Sequence, residues 1–368
     1  MRILVTGANG FIGKNLCRRL RELPEYEVME FGRGDTLETL EQLVFRTDAV
    51  VHLAGENRPR QEEDFARVNT DLTHALCQRI RATGRMISLI FASSTQVGLD
   101  NPYGRSKRAA EEVIGQLCRE TGNPAMIYRL PGVFGKWCKP DYNSVVATFC
   151  HNIVRGLPVQ IHDPERSIHL VYIDDVVDAL LTVLKTGWRG ECQGRIQPEY
   201  TITLGQLAEQ IRAFHDCRSS LLAERVGTGV VRALYATYMS HLSPQEFVYD
   251  LPRHGDERGV FVEMLKTHDS GQFSFFTAHP GVTRGGHYHH SKSEKFLVIQ
   301  GRARFCFRHV LTNEFHDLFV SGAKPQIVET VPGWTHDVTN VGDDPLIVML
   351  WASELFDRNR PDTIACRV

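Results

Sequence analysis

A doubly wound parallel α/β domain followed by an all-β barrel is the architecture that the residue pattern calls for, and three observations carry that expectation. The chain opens with a short apolar run, Ile3-Leu4-Val5, that breaks into a glycine-rich turn, and strand-like and helix-like stretches alternate after it. Near Leu242-Ser243-Pro244 the pattern changes to short strand-like runs punctuated by Gly, Pro, Asn and Asp. A chain of 368 residues also has about the length of two domains.

Composition narrows the function classes. Hydrophobic content of 42% and charged content of 23% are those of a soluble globular protein. A net charge of −2 leaves no basic stripe and argues against nucleic acid as a partner. Nine cysteines lie scattered without a C-x-x-C pair, which fits reduced thiols. The start goes straight into a strand rather than a signal peptide, and no apolar run is long enough to span a bilayer. The expectation is a cytoplasmic protein with no membrane partner.

In the first turn, Thr6-Gly7-Ala8-Asn9-Gly10-Phe11-Ile12-Gly13 follows a buried strand and opens a helix, the arrangement of a dinucleotide cradle. Gly7 allows the tight turn, Gly10 lets backbone approach a pyrophosphate, and Gly13 lets the helix pack close. Asn9, Phe11 and Ile12 complete the cradle. The second strand, Glu27-Val28-Met29-Glu30-Phe31, is followed by Gly32-Arg33. An acid near this point holds a ribose 2′-hydroxyl, whereas an arginine suits a 2′-phosphate. Arg33 therefore favours NADPH over NADH, the alternative being a solvated turn residue.

The next strand runs through His52-Leu53-Ala54-Gly55, residues 62–80 have helical periodicity with Asn69 inside, and a fourth strand leads to Ser93-Ser94. Tyr103 and Lys107 are four apart, so on a helix they share a face. An ammonium beside a phenol favours the phenolate and lowers its pKa. A serine hydroxyl at a strand end can hold the same carbonyl oxygen. A solvated helix face is the plain alternative.

Preceded by this cradle and by Ser93-Ser94, the Tyr103-x-x-x-Lys107 pattern resembles the extended short-chain dehydrogenase/reductase family over about residues 1–240. That resemblance implies Ser94, Tyr103 and Lys107 as the catalytic trio, with Tyr103 the acid and Asn69 supporting its proton relay. It also implies that Leu53, Ala54 and Gly55 flank the cofactor. The sugar 4,6-dehydratases of the family carry Asp-Glu where this chain has Thr95-Gln96, and Arg33 argues against the retained NAD of the 4-epimerases. Net reduction of a ketone is left. Gly132 stands where Asn is common and Ile168 where Arg is, which leaves Arg166 as the candidate for substrate phosphates.

The second half carries a different chemistry. Gly281, His287, His289, Glu294 and Gly301 are spaced G-x5-H-x-H-x4-E-x6-G, and Gly333, His336 and Asn340 follow as G-x2-H-x3-N. On a strand, His287 and His289 point the same way. Three histidines and a glutamate suit Zn²⁺ or another divalent ion. A structural ion and an ion-free histidine cluster are the alternatives. The two motifs resemble those of the cupin barrels, except that Pro332 abuts Gly333. Arg284-Gly285-Gly286-His287-Tyr288 also resembles a piece of the deoxysugar 3,5-epimerases, whose histidine takes a proton beside a 4-keto group. His287 cannot hold both roles, because a ligated imidazole has no free lone pair.

The expected fold is thus an α/β Rossmann-like domain of the extended short-chain dehydrogenase/reductase kind, residues 1–243, then an all-β cupin barrel, residues 244–368. The whole chain resembles the bifunctional CapF/WbjC-type enzymes of the UDP-N-acetyl-L-fucosamine pathway. This implies a UDP-4-keto-6-deoxy-N-acetylhexosamine substrate, C3 epimerisation in the cupin, NADPH-dependent reduction at C4 to UDP-2-acetamido-2,6-dideoxy-L-talose for capsule and O-antigen, and a homodimer. A C3 proton is acidic only while C4 is a ketone, so epimerisation must come first. A single-site 4-keto sugar reductase whose cupin is a structural or dimerising metal module stays open. So does a cofactor-sensing regulator, against which Tyr103 and Lys107 speak.

Overall fold

Apolar runs in the first half become strands, most of them bounded by a turn and followed by a helix. The structure, a computed structural model, describes residues 1–59, 61–359 and 361–368. The strands are β1 (Arg2–Thr6), β2 (Glu27–Phe31), β3 (Ala49–His52), β4 (Ser88–Ser94), β5 (Ala125–Leu130), β6 (Gly132–Phe134), β7 (Ser167–Tyr172), β8 (Glu191–Gly194) and β9 (Glu199–Thr203). Six of them form one sheet in the order β2-β1-β3-β4-β5-β8, every pairing parallel. A smaller sheet runs β6-β7-β9. Val50, Leu89 and Phe91 of the large sheet pack with Leu76, Ile80, Ala110 and Ile114 from helices, each large side chain contributing about 1.5–3 kcal/mol when buried. With β2 on one side of β1 and β3 on the other, the strand order reverses at β1. That is where a doubly wound sheet opens a crevice at the carboxyl ends of its strands.

Beyond them lie β10 (Leu222–Ala223), β11 (Arg253–Asp256), β12 (Gly259–Thr267), β13 (Gln272–Ala278), β14 (Thr283–Tyr288), β15 (Glu294–Gln300), β16 (Arg302–His309), β17 (Phe315–Ser321), β18 (Ile327–Glu329), β19 (Trp334–Asn340), β20 (Leu346–Ala352) and β21 (Ile364–Ala365). One sheet runs β10-β12-β13-β20-β15-β18 with β11 also on β12, and the other runs β17-β16-β19-β14-β21. The pairing of β10 with β12 is parallel, and the rest are antiparallel. Phe276, Phe296 and Val348 from the first sheet share one core with Phe305 and Val338 from the second. The expected α/β-then-all-β architecture is therefore what the chain adopts.

Two units divide the chain. One comprises Met1–Ile211 and Arg232–Leu242, the other Arg212–Val231 and Ser243–Val368. The backbone thus passes between them after Ile211, Val231 and Leu242. No helix among the described residues is long and apolar enough to cross a membrane.

Candidate active site and metal centre

The first unit holds a cavity of about 760 Å³ at the carboxyl ends of its parallel strands. Gly7 ends β1 with φ +69°, and a Cβ there would come 2.7 Å from Ala54 N. A Cβ on Gly13 would run into the carbonyl oxygen of Gly7, so the helix Phe11–Arg21 can pack this close only without one. That helix begins at Gly10 with no side-chain cap and no acid in its first turn. Its first N–H groups, with the positive end of the helix dipole behind them, suit a dinucleotide phosphate. Asn9, Phe11, Ile12, Arg33, Leu53, Gly55, Ser94, Tyr103 and Lys107 all line the same cavity.

Lys107 is 5% exposed. Its ammonium donates to the Ala92 carbonyl at 2.8 Å and lies 4.6 Å over the Phe91 ring. Burial pushes it down to about 8, against the pull of Glu111 one turn on. The Tyr103 phenol is pushed up by burial, and a hydrogen bond with the Ser94 hydroxyl opposes that rise. The expected lowering of Tyr103 is therefore corrected: burial raises the phenol, and the bond that opposes the rise comes from Ser94 rather than from Lys107. Ala54 and Asn69, expected at the cofactor, are not among the cavity-lining residues. Asn69 is 1% exposed and accepts from Glu56 N at 2.8 Å while donating to Glu56 O at 3.0 Å and Ser106 Oγ at 2.9 Å. It braces the loop after β3 against the helix Pro102–Thr121. Arg166 is exposed and is not among the cavity-lining residues.

Glu111 and Glu56, with their partners Arg129 and Tyr142, escaped the sequence reading. Glu111, nearly buried, accepts from Ser93 Oγ at 2.5 Å and from Arg129 at 2.6 and 3.0 Å, so the strand end carrying Ser94 is tied to the helix carrying Tyr103. Glu56 accepts from Arg33 and from the Tyr142 hydroxyl, both at 2.8 Å. Burial opposes its ionisation, but these bonds win and hold its carboxyl below the ordinary range. Arg33, although its side chain is 90% exposed, is thereby aimed along the cavity wall.

In the second unit, the ligand candidates converge from both sheets. A β-bulge at Gly285 and Gly286, with φ of 102° and 77°, re-aims the end of β14. It sets His287 opposite His336 of β19. β14 ends at Tyr288, so His289 comes just past the strand, and Glu294 begins β15 in the other sheet. The four ligand atoms lie within 4.8 Å of one another. Nε2 of His289 and of His336 approach the same Glu294 oxygen at 3.2 and 3.3 Å. His289 gives its Nδ1 proton to the Asp362 carbonyl at 2.6 Å, and its Nε2 faces the carboxylate, where a cation would take the lone pair of the neutral imidazole. Nδ1 of His336 is buried with no hydrogen-bond partner. Burial pushes His287 down to about 4, leaving a neutral imidazole at physiological pH. Burial resists ionisation of Glu294, but the two imidazoles hold its carboxyl well below the usual range. Three imidazoles and one carboxylate fit a divalent ion of the zinc type.

Residues 3–197 match the model of the NAD-dependent epimerase/dehydratase family, more than half of the chain. The chain belongs to that family. Residues 254–364 match a polysaccharide biosynthesis C-terminal domain. A UDP-2-acetamido-2,6-beta-L-arabino-hexul-4-ose reductase of Pseudomonas aeruginosa is 56% identical over 100% of this chain and 99% of its own. The crystal structure of the capsular polysaccharide assembling protein CapF from Staphylococcus aureus superimposes with a TM-score of 0.92 at 37% identity, covering 100% of both chains. A UDP-glucuronic acid 4-epimerase from Bacillus cereus shares the fold across 66% of this chain at 18% identity, with a TM-score of 0.57.

As a member of the epimerase/dehydratase family the chain is an enzyme whose first unit is built for a nicotinamide dinucleotide. The arrangement can place a phenol and a serine hydroxyl on one carbonyl oxygen. The Pseudomonas aeruginosa relative, 56% identical along the whole chain, supports reductase chemistry on a UDP-4-keto sugar.

Proposed function

We propose that the protein reduces the C4 ketone of a UDP-2-acetamido-2,6-dideoxy-4-hexulose with NADPH after inverting C3 of the same sugar in its second unit. The observation that carries the reading is the single cavity joining the cradle of Gly7, Gly10 and Gly13 to Ser94, Tyr103 and Lys107, in a chain 56% identical along its length to a 4-ketohexose reductase. Bound in the cradle, the dinucleotide supplies hydride to C4. Tyr103 gives its hydroxyl proton to the oxygen that was the ketone, Ser94 holds that oxygen, and the Lys107 ammonium stabilises the phenolate left behind. Arg33, held by Glu56, takes the 2′-phosphate as a planar fork. His287, His289, Glu294 and His336 would hold a divalent ion such as Zn²⁺, whose Lewis acidity would polarise the C4 carbonyl and ease loss of the C3 proton. If His287 ligates the ion, the proton goes to another residue.

Incubating the full chain with the 4-keto sugar in deuterium oxide, with and without NADPH, tests both halves. The expected result is deuterium at C3 without NADPH and the L-talose product with it. A second reading, reductase alone with a structural ion, draws on the near-complete burial of His289, Glu294 and His336. Reduction without any C3 exchange would favour it.

A further inference from the structure

The C-terminal segment is wired into the metal centre through one residue far away in sequence. Asp362 adopts a left-handed φ of 32°, which Asp tolerates better than most side chains. Its carboxylate accepts the N–H groups of His290, Ser291 and Lys292, each at 2.9 Å, and the Ser291 hydroxyl at 3.0 Å. Its carbonyl accepts His289 Nδ1 at 2.6 Å, across 73 residues. The segment that follows is bound in turn: Thr363 Oγ1 accepts from Lys292 Nζ at 3.1 Å, Ala365 of β21 lies opposite His287, and Cys366 O accepts from the hydroxyl of Thr335, the neighbour of His336.

A carbonyl oxygen carries only lone pairs, so this contact requires the proton on Nδ1, and the one neutral tautomer it admits has its lone pair on Nε2. Meanwhile three successive N–H groups closing on one carboxylate fix the turn that carries His289. We propose that Asp362 is a positioning residue for the ion: its carboxylate pins the 290–292 turn, and its carbonyl presents His289 Nε2 to the metal. The inference rests on the metal reading above and deepens it. A tail that were merely packed would contribute to melting temperature and leave metal affinity alone.

The test uses the full chain, stripped with chelator and titrated with Zn²⁺ against a competing dye. Asp362→Gly keeps the left-handed backbone and removes the carboxylate, and Asp362→Asn keeps one acceptor oxygen. The Gly variant should bind Zn²⁺ about 10- to 100-fold more weakly, with the Asn variant between it and the wild type. Wild-type affinity in a Gly variant with a native circular dichroism spectrum overturns the inference. Should that variant misfold, nitrogen-15 histidine NMR of the metal-free wild type decides. A His289 whose single proton is on Nδ1 supports the inference, and one whose single proton is on Nε2 overturns it, the spectrum being taken at a pH where the ring is neutral. A wild type that takes up no Zn²⁺ removes the metal reading and this inference together, whereas binding by the wild type and the variants alike removes the inference alone.

Discussion

Lys107 keeps an ammonium in a nearly dry site, and the cost is the fall of its pKa from 10.5 to about 8. The group is charged below that value and neutral above it. If the ammonium is the working form, kcat/KM for ketone reduction stays level below pH 8 and falls about tenfold per unit above it. Glu111 resists that loss of charge, so Glu111→Gln should move the alkaline limb to lower pH. Paired pH profiles measure this, and a limb that stays in place would separate Glu111 from Lys107. Arg33 offers a second test at this scale. A charge-assisted hydrogen bond contributes about 1.5–3 kcal/mol, so Arg33→Asp should weaken NADPH about 10- to 100-fold while NADH changes little. Equal losses for both dinucleotides would count against the phosphate fork. Ser94, Tyr103 and Lys107 were legible in the sequence because a strand end and one helix turn are local patterns. The Glu56–Tyr142 bond spans 86 residues, and no local spacing announces such a contact.

At the scale of the element, the bulge in β14 decides where the ligands point. Strict alternation along a strand would put His287 and His289 on one face, yet the strand stops between them, and the bulge just before His287 sets that residue opposite His336. Gly285→Ala sets a Cβ at φ 102°, 2.8 Å from His336 O. Backbone strain of this kind costs about 1–3 kcal/mol. The variant should lose metal, measured by elemental analysis, and its second unit should melt a few degrees lower. Full metal content at an unchanged melting temperature would show that the bulge does not place His287. The paired glycines hinted at this feature. Residues 66–71 gave no such hint: they form a π-helical turn around Asn69, and one extra residue per turn is lost in the noise of a helical pattern.

For the whole molecule, each unit has its own core and its own candidate chemistry, so the two activities should separate by mutation in the intact chain. Tyr103→Phe should cut NADPH oxidation about 10²- to 10⁴-fold and leave C3 deuterium exchange, followed by NMR, in place. His336→Ala should do the reverse, lowering bound metal and C3 exchange while a ketone supplied already inverted is still reduced. Loss of both activities in Tyr103→Phe would refute the two-site model. The change of hydrophobic period near residue 243 made both fold classes readable. Sequence pattern did not show that residues 212–231 pack with the second unit, since a helix and a short strand there continue the earlier rhythm. That interleaving has a consequence for the chain as it is made. A ribosome releases residues in order at roughly 5–20 per second. Ala233, Leu234 and Thr237, all 0% exposed, belong to the first unit and emerge only after residues 212–231 of the second. β10 must in turn wait for β12, some forty residues later. A nascent chain paused at Val231 would therefore show unsatisfied apolar surface on two half-built bodies at once, a substrate for chaperones and proteases that neither finished unit would be.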